Sequence, residues 1–136
     1  MAFWLFKQEP SCYGYGDLER DGSTNWDGVA NPQALKNLRA CKPGDLAFFY
    51  HTGDEKAIVG IMEITGEAVP NPEEENEKLV MLPVKAVRRL AKPITLAAIK
   101  ADERFADWEL VNQARLSVMP CSAARWKLIE KLAAGK

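Results

Sequence analysis

Leu46-Ala47-Phe48-Phe49-Tyr50-His51-Thr52, followed shortly by Ala57-Ile58-Val59-Gly60-Ile61-Met62-Glu63-Ile64-Thr65-Gly66-Glu67-Ala68-Val69, is the stretch whose reading decides the fold. In the first segment Leu46, Phe48 and Tyr50 share one face and Ala47, Phe49 and His51 the other, the period-2 pattern of a strand. The second is a long, strongly apolar strand. Its glycines, Gly60 and Gly66, mark bends or bulges of the kind that curl a sheet.

Working outward, Pro70 to Glu77 reads as an acidic loop. Leu79 to Leu90 is another strand, ending in a basic corner of Arg88, Arg89 and Lys92. Upstream, Phe3 to Gln8 alternates as a strand and Glu9-Pro10-Ser11 ends it. Tyr15 to Arg20 reads as a short helix stopped near Gly22. Asn31 to Cys41 is a stronger helix, with Ala34, Leu35, Leu38 and Cys41 on one face and Lys36 and Arg39 on the other. Downstream, Ile94 to Lys100 is a helix entered through Pro93, Phe105 to Val111 another, and Arg115 to Met119 a short strand. Cys121 to Ala133 closes the chain as a helix whose Trp126, Ile129 and Leu132 point inward. Trp108 and Trp126 read as core. Long antiparallel strands with bend glycines, flanked by helices, predict an α+β fold. The sheet is expected to be curved and mostly antiparallel, forming a small open barrel. One domain spanning residues 1–136 is expected.

Composition narrows the function. The chain has 136 residues, 47% hydrophobic and 27% charged, with a net charge of −1. That balance argues against a protein gripping nucleic acid through many phosphate contacts, which would carry a basic stripe. It leaves room for a pocket gripping a single base. No apolar run is long enough to span a bilayer. Cys12, Cys41 and Cys121 are odd in number and widely spaced, giving neither a disulfide framework nor a zinc spacing, and His51 is the lone histidine. A reducing cytoplasm is the expected compartment, with no cofactor and no metal.

The segment Trp26-Asp27-Gly28-Val29-Ala30-Asn31-Pro32-Gln33-Ala34 sets an aromatic just ahead of a helix start. Asn31 suits the N-cap and Pro32 the first helical position. A helix N-terminus favours anions. A flat ring beside such a terminus suits a nucleotide.

Several segments resemble one family in order along the chain. Phe3-Trp4-Leu5-Phe6-Lys7-Gln8-Glu9-Pro10 resembles the opening strand of EVE domains, and Trp26-Asp27-Gly28-Val29 with Asn31, Gln33 and Ala34 resembles their WDGVRNxQA motif. Phe48-Phe49-Tyr50-His51-Thr52, Ile58-Val59-Gly60-Ile61, Glu67-Ala68-Val69-Pro70 and Arg115-Leu116-Ser117-Val118 resemble its later motifs. The resemblance implies a PUA-like fold, related to PUA, ASCH and YTH domains. It also implies a non-catalytic reader of modified bases in DNA or RNA, of a kind found alone in bacteria. The positions it implies for ligand binding are Trp4, Lys7, Glu9, Trp26, Gly28, Val29, Asn31, Tyr50, His51, Arg115 and Ser117. Ala30 and Leu35 stand where the family usually has arginine, which weakens a phosphate clamp at the helix start.

Each residue also has a structural reading. Trp26 is the expected base-stacking residue, against a core role beside a turn. Tyr50 either walls the pocket or packs with Phe48. His51 either bonds a base edge or supports the strand. Lys7 and Glu9 either contact ligand or pair with each other. Asn31 is first a helix cap. Arg115 and Ser117, two apart on a strand, face the same way. Trp26, Tyr50 and Lys7 are expected to line one common cavity, with nucleic acid as the partner and no membrane. The alternative from another class is a small nucleotide-processing enzyme using Lys7, Glu9 and His51. No Walker, nucleophile-elbow or zinc-deaminase motif supports that alternative.

Overall fold

A computed structural model describes residues 1–76 and 78–134. Glu77, at the end of the expected acidic loop, and Gly135 and Lys136 lie outside the described residues. In chain order the elements are β1 (Phe3–Gln8), α1 (Pro10–Tyr13), α2 (Tyr15–Asp21), β2 (Ser23–Trp26), α3 (Pro32–Ala40), β3 (Leu46–His51) and β4 (Ala57–Ile64). Then follow β5 (Val69–Pro70), β6 (Val80–Thr95), α4 (Leu96–Lys100), a 3-10 turn (Glu103–Phe105), α5 (Glu109–Asn112), β7 (Val118–Cys121) and α6 (Ala123–Ala133).

The fold is α+β, as expected. The strands form one sheet in the order β2-β6-β4-β3-β1-β7, with β5 on β6. Pairing is antiparallel except between β1 and β3, which run parallel with Lys7 opposite Tyr50 and Gln8 opposite His51. The sheet is not closed, since β2 and β7 are its edges.

It is nevertheless strongly curled. Neighbouring strands lie about 4.8 Å apart, so a flat sheet would hold β2 roughly 14 Å from β3 and 19 Å from β1. Instead the Trp26 ring of β2 lies 5.2 Å from both Phe49 of β3 and Phe6 of β1. Gly60 is one device that permits this. A Cβ there would stand 2.6 Å from the Tyr15 ring, so the α2 aromatic can settle on β4 only over a glycine. The Tyr15 hydroxyl then donates to the Ile61 carbonyl at 2.7 Å. Register shifts beside Val59 and Gly60 add the bend.

Trp26, Phe6, Phe49 and Tyr15 thus fill the concave interior. The convex face is covered by α6, whose Trp126 stacks on Phe48 at 3.8 Å and on Phe3 at 4.6 Å. α3 packs against β7 and β6. Trp108, at the N-cap of α5, is fully buried with its indole N–H donating to the Pro120 carbonyl, so it and Trp126 of α6 are both core as expected. The helix expected over Phe105 to Val111 is reduced to the 3-10 turn and α5.

Four element boundaries correct the sequence reading. Glu9-Pro10-Ser11 does not merely end β1: Glu9 is the N-cap of a further short helix, α1, with Pro10 at its first position. Ser23–Trp26 is a strand, held by pairing with β6. β6 continues past Leu90 to Thr95, so the helix expected from Ile94 starts at Leu96, capped by the Thr95 hydroxyl. Pro93 is tolerated because the register jumps from Arg89–Gly60 to Ile94–Ile58, leaving it in a bulge with no ladder bond to donate. Residues 114–117 form a turn and extended link, not the start of a strand.

Candidate functional site

β1 divides two cavities because its alternate side chains leave on opposite faces. Gln8 reaches a cavity of about 270 Å³ lined also by Cys12, Tyr13, Thr24, Asn25, Trp26 and Asp27. Lys7 reaches a second, also about 270 Å³, with Tyr50, Lys56, Leu96, Lys100 and Leu110 among its walls.

The expected common cavity of Trp26, Tyr50 and Lys7 is therefore not formed. Tyr50 follows Lys7 in the parallel register, on the face opposite Phe6, Phe49 and Trp26. Trp26 is only 3% exposed, packed edge-to-face against Phe6 and Phe49. It gives the Gln8 cavity a rim and presents no open stacking face. Tyr13, half-buried on α1, is the aromatic of that cavity with exposed surface, and its hydroxyl donates to Asp21 at 2.8 Å.

His51 is committed elsewhere. The Tyr15 N–H donates to its Nε2 at 3.0 Å, so its proton sits on Nδ1, which donates to Glu55 at 2.7 Å. With both nitrogens engaged and the side chain buried, it ties α2 to β3 and offers no edge to a base. Trp4 is buried at the far end of β1, its indole donating to Asp45 at 3.0 Å. Burial pushes the Asp45 carboxyl up, but donors from Ala2, Trp4 and Lys42 outweigh it and hold the group below its ordinary value.

The helix-start group forms its own neighbourhood. Gly28, with φ +76, joins Val29 and Ala30 in lining a cavity of about 140 Å³ that also meets Asn71 and Glu74. The Asn31 side chain accepts from the Gln33 and Ala34 N–H groups at 2.9 and 3.0 Å, which occupies the donors an anion would need. Glu9 accepts from the Ser11 and Thr52 hydroxyls at 3.3 Å each and does not pair with Lys7. The Lys7 N–H donates to the Ser117 carbonyl at 2.8 Å, so Ser117 serves through its backbone, while Arg115 is exposed on the preceding turn.

The basic corner is largely neutralised. Arg88 pairs with Glu130 at 2.7 Å and Arg89 with Glu19 at 2.6 Å. Among the described residues no group of three or more His, Cys, Asp and Glu is placed to hold a metal ion, and no helix is long and apolar enough to cross a membrane.

Sequence reading missed Gln8, Cys12, Tyr13, Asn25 and Asp27 as cavity residues. The Glu9-Pro10 pair carried the signal for α1, being an acidic cap followed by an N1 proline. β2 carried none, since its pairing with β6 is tertiary.

Comparison with known proteins places this geometry in a lineage. The EVE domain family model matches residues 2–132. Human thymocyte nuclear protein 1 is 32% identical, the alignment covering 96% of this chain and 73% of the human protein. A Rhodopseudomonas palustris protein solved by NMR superposes with a TM-score of 0.93 at 42% identity, over 98% of this chain and 94% of its own. The human THYN1 protein in complex with 5-methylcytosine containing DNA superposes with a TM-score of 0.90 at 30% identity, over 98% of both chains. An ASCH protein from Zymomonas mobilis, at 11% identity and a TM-score of 0.60, shares the fold alone. By a family match running nearly end to end and this agreement in fold, the chain belongs to the EVE domain family.

Proposed function

We propose that this protein is a non-catalytic nucleic-acid-binding module that reads a modified base, with 5-methylcytosine in DNA as the first candidate. The observation that carries the reading is its likeness, over 98% of both chains, to the human THYN1 protein in complex with 5-methylcytosine containing DNA. We assign the base to the cavity of Gln8, Tyr13, Asn25 and the Trp26 edge. Its chemistry suits that ligand. The Asn25 amide offers a donor and an acceptor to a base edge, and Gln8, whose Oε1 accepts from the Glu9 N–H at 3.0 Å, offers its amide donors. Tyr13 offers a ring to lie against a flipped-out base, and the apolar edge of Trp26 can meet a methyl group.

The enzyme alternative needs Lys7, Glu9 and His51 to converge. They do not: Lys7 and His51 leave the sheet on opposite faces, and His51 has no free nitrogen.

The test is a binding series with matched oligonucleotides carrying one cytosine or one 5-methylcytosine, as single strands and duplexes, in DNA and RNA. Cys12 supplies a built-in reporter, because it lines the cavity and is exposed. Tighter binding of the methylated strand, with Cys12 protected from alkylation, is expected. Equal affinity for both bases, with Cys12 equally reactive, would overturn the assignment.

A further inference from the structure

Most arginines of this protein are cancelled by carboxylates: Arg20 by Asp17 and Asp21, Arg88 by Glu130, Arg89 by Glu19, Arg104 by Asp102 and Arg125 by Asp107. Lys42 and Lys85 also face acids. Lys7, Lys56 and Lys100 have no carboxylate in ion-pair range among the described residues, and all three line one cavity. No acid lines it. Other cations of the chain also lack an ion-pair partner, Arg39 and Lys78 beside one shallow cavity among them, but this cavity brings three together against an apolar wall.

The fold holds the Lys7 side chain and the Lys56 backbone there, while the Lys56 and Lys100 side chains are exposed. Lys7 is half-buried; its ammonium donates to the Ala114 carbonyl at 3.0 Å and stands 5.6 Å over the Tyr50 ring. An ammonium has three donors, so donors remain to be met. Burial lowers the Lys7 pKa from its ordinary value, the cost of a charge left without a counter-ion. Lys56 has φ +47, the one non-glycine residue with positive φ among those described. Such backbone strain persists only where surroundings impose it. Here the Leu96 N–H donates to the Lys56 carbonyl at 2.7 Å, clamping Lys56 to the first turn of α4, whose last residue is Lys100.

The neighbouring acids are occupied or outside. Glu9 lies behind Gly53, whose φ of +77 brings its Cα so near that a Cβ would stand 2.8 Å from the carboxylate. Glu9 accepts from Ser11 and Thr52. Asp54 and Glu55 line an adjoining depression of about 420 Å³ that shares Lys56, Leu96 and Lys100, and Glu55 is bound to His51.

We infer that this cavity is a binding site for the phosphate of a nucleotide, with Lys7, Lys56 and Lys100 around the anion and Tyr50, Leu96 and Leu110 against its organic part. The phosphate can come from a free nucleotide or from a nucleic-acid strand. The site stands on the opposite face of β1 from the proposed base cavity and does not depend on base reading.

The experiment titrates the intact protein at low salt with inorganic phosphate, cytidine monophosphate and an unmodified thymidine octamer. Amide resonances and calorimetry provide the readout. Cytidine monophosphate should shift the Gly53, Lys56 and Leu96 amides, and the double variant K56Q/K100Q should weaken it at least tenfold. Lys127→Gln, on α6, should leave it unchanged. For the octamer, the slope of log affinity against log salt should fall by about 0.7 for each lysine that had met a phosphate. Mononucleotide binding alone assigns the site to free nucleotides; an octamer effect alone assigns it to a strand; either upholds it. The inference is overturned if no probe shifts those amides, or if K56Q/K100Q, keeping the parental melting point, weakens no probe more than Lys127→Gln does. Discrimination between cytosine and 5-methylcytosine is not read by these probes, so the base-reading proposal stands or falls separately.

Discussion

Replacing Trp26 by alanine removes a side chain that ties edge strand β2 to β1 and β3 across the interior of the curled sheet. The ring is 3% exposed and meets Phe6 and Phe49 edge-to-face at 5.2 Å. Truncating a buried tryptophan typically costs about 3–5 kcal/mol through lost transfer energy and the cavity left behind. Two aromatic contacts, each worth roughly 0.5–1.5 kcal/mol beyond area, place this site toward the upper end. For a chain of this size that corresponds to a fall in melting temperature on the order of 10–20 °C. Trp26→Phe keeps a ring between Phe6 and Phe49 and should cost about 1–2 kcal/mol. The assay is urea unfolding followed by circular dichroism, with oligonucleotide affinity measured on the folded protein at low denaturant. The expected result is a large drop in midpoint for Trp26→Ala, with weakened binding following from the disordered rim. A loss below about 1 kcal/mol, with binding abolished, would refute the core assignment and restore Trp26 as an open stacking platform.

Three further outcomes are expected. A thiol reagent should label Cys12 alone in the native protein, as counted by intact mass, because Cys41 and Cys121 are buried and burial raises both thiols, Cys121 to about 12; labelling of either at the rate of Cys12 would contradict the packing. Asp45→Ala should cost roughly 1–3 kcal/mol by stranding the buried Trp4 indole N–H, measured by denaturant midpoint. Because the folded Asp45 carboxyl lies below its ordinary value, its contribution is full above about pH 4 and is lost as pH falls through the folded value. The variant's deficit should therefore shrink in acid, and a deficit unchanged there would contradict the assignment. Gly60→Ala should destabilise by about 1–3 kcal/mol by forcing the Tyr15 ring off β4, and a neutral effect in thermal unfolding would show that α2 can lift freely.

Much of the fold was legible because its signals are local. Alternation along Phe3–Gln8 and Leu46–His51 is a property of consecutive residues, and both strands lie where that pattern places them. The Asn31-Pro32 start of α3 is a cap whose bonds are made within the same turn. β2 and the far end of β6 were not legible. Ser23–Trp26 has no alternating apolar pattern and becomes a strand only by pairing with Val80–Thr95. Pro93 marks an element end in sequence but sits in a bulge in space.

The sequence by itself determined the family, the sheet's main strands, the helix starts and the aromatic inventory, because motif order, side-chain period and capping are written in neighbouring residues. Tertiary structure alone decided which of those residues share a site. Lys7 and Gln8 are adjacent in the chain yet open into different cavities, since consecutive strand residues face opposite ways. The curl that brings β2 over β1 and β3 turned Trp26 inward and left Tyr13 at the rim. It also set Glu19 and Glu130 against Arg89 and Arg88, so the basic corner visible in sequence carries little free charge, while Lys7, Lys56 and Lys100 meet in one cavity. Charge balance and convergence depend on distances between residues far apart in the chain, and those distances exist only once the sheet has curled around its core.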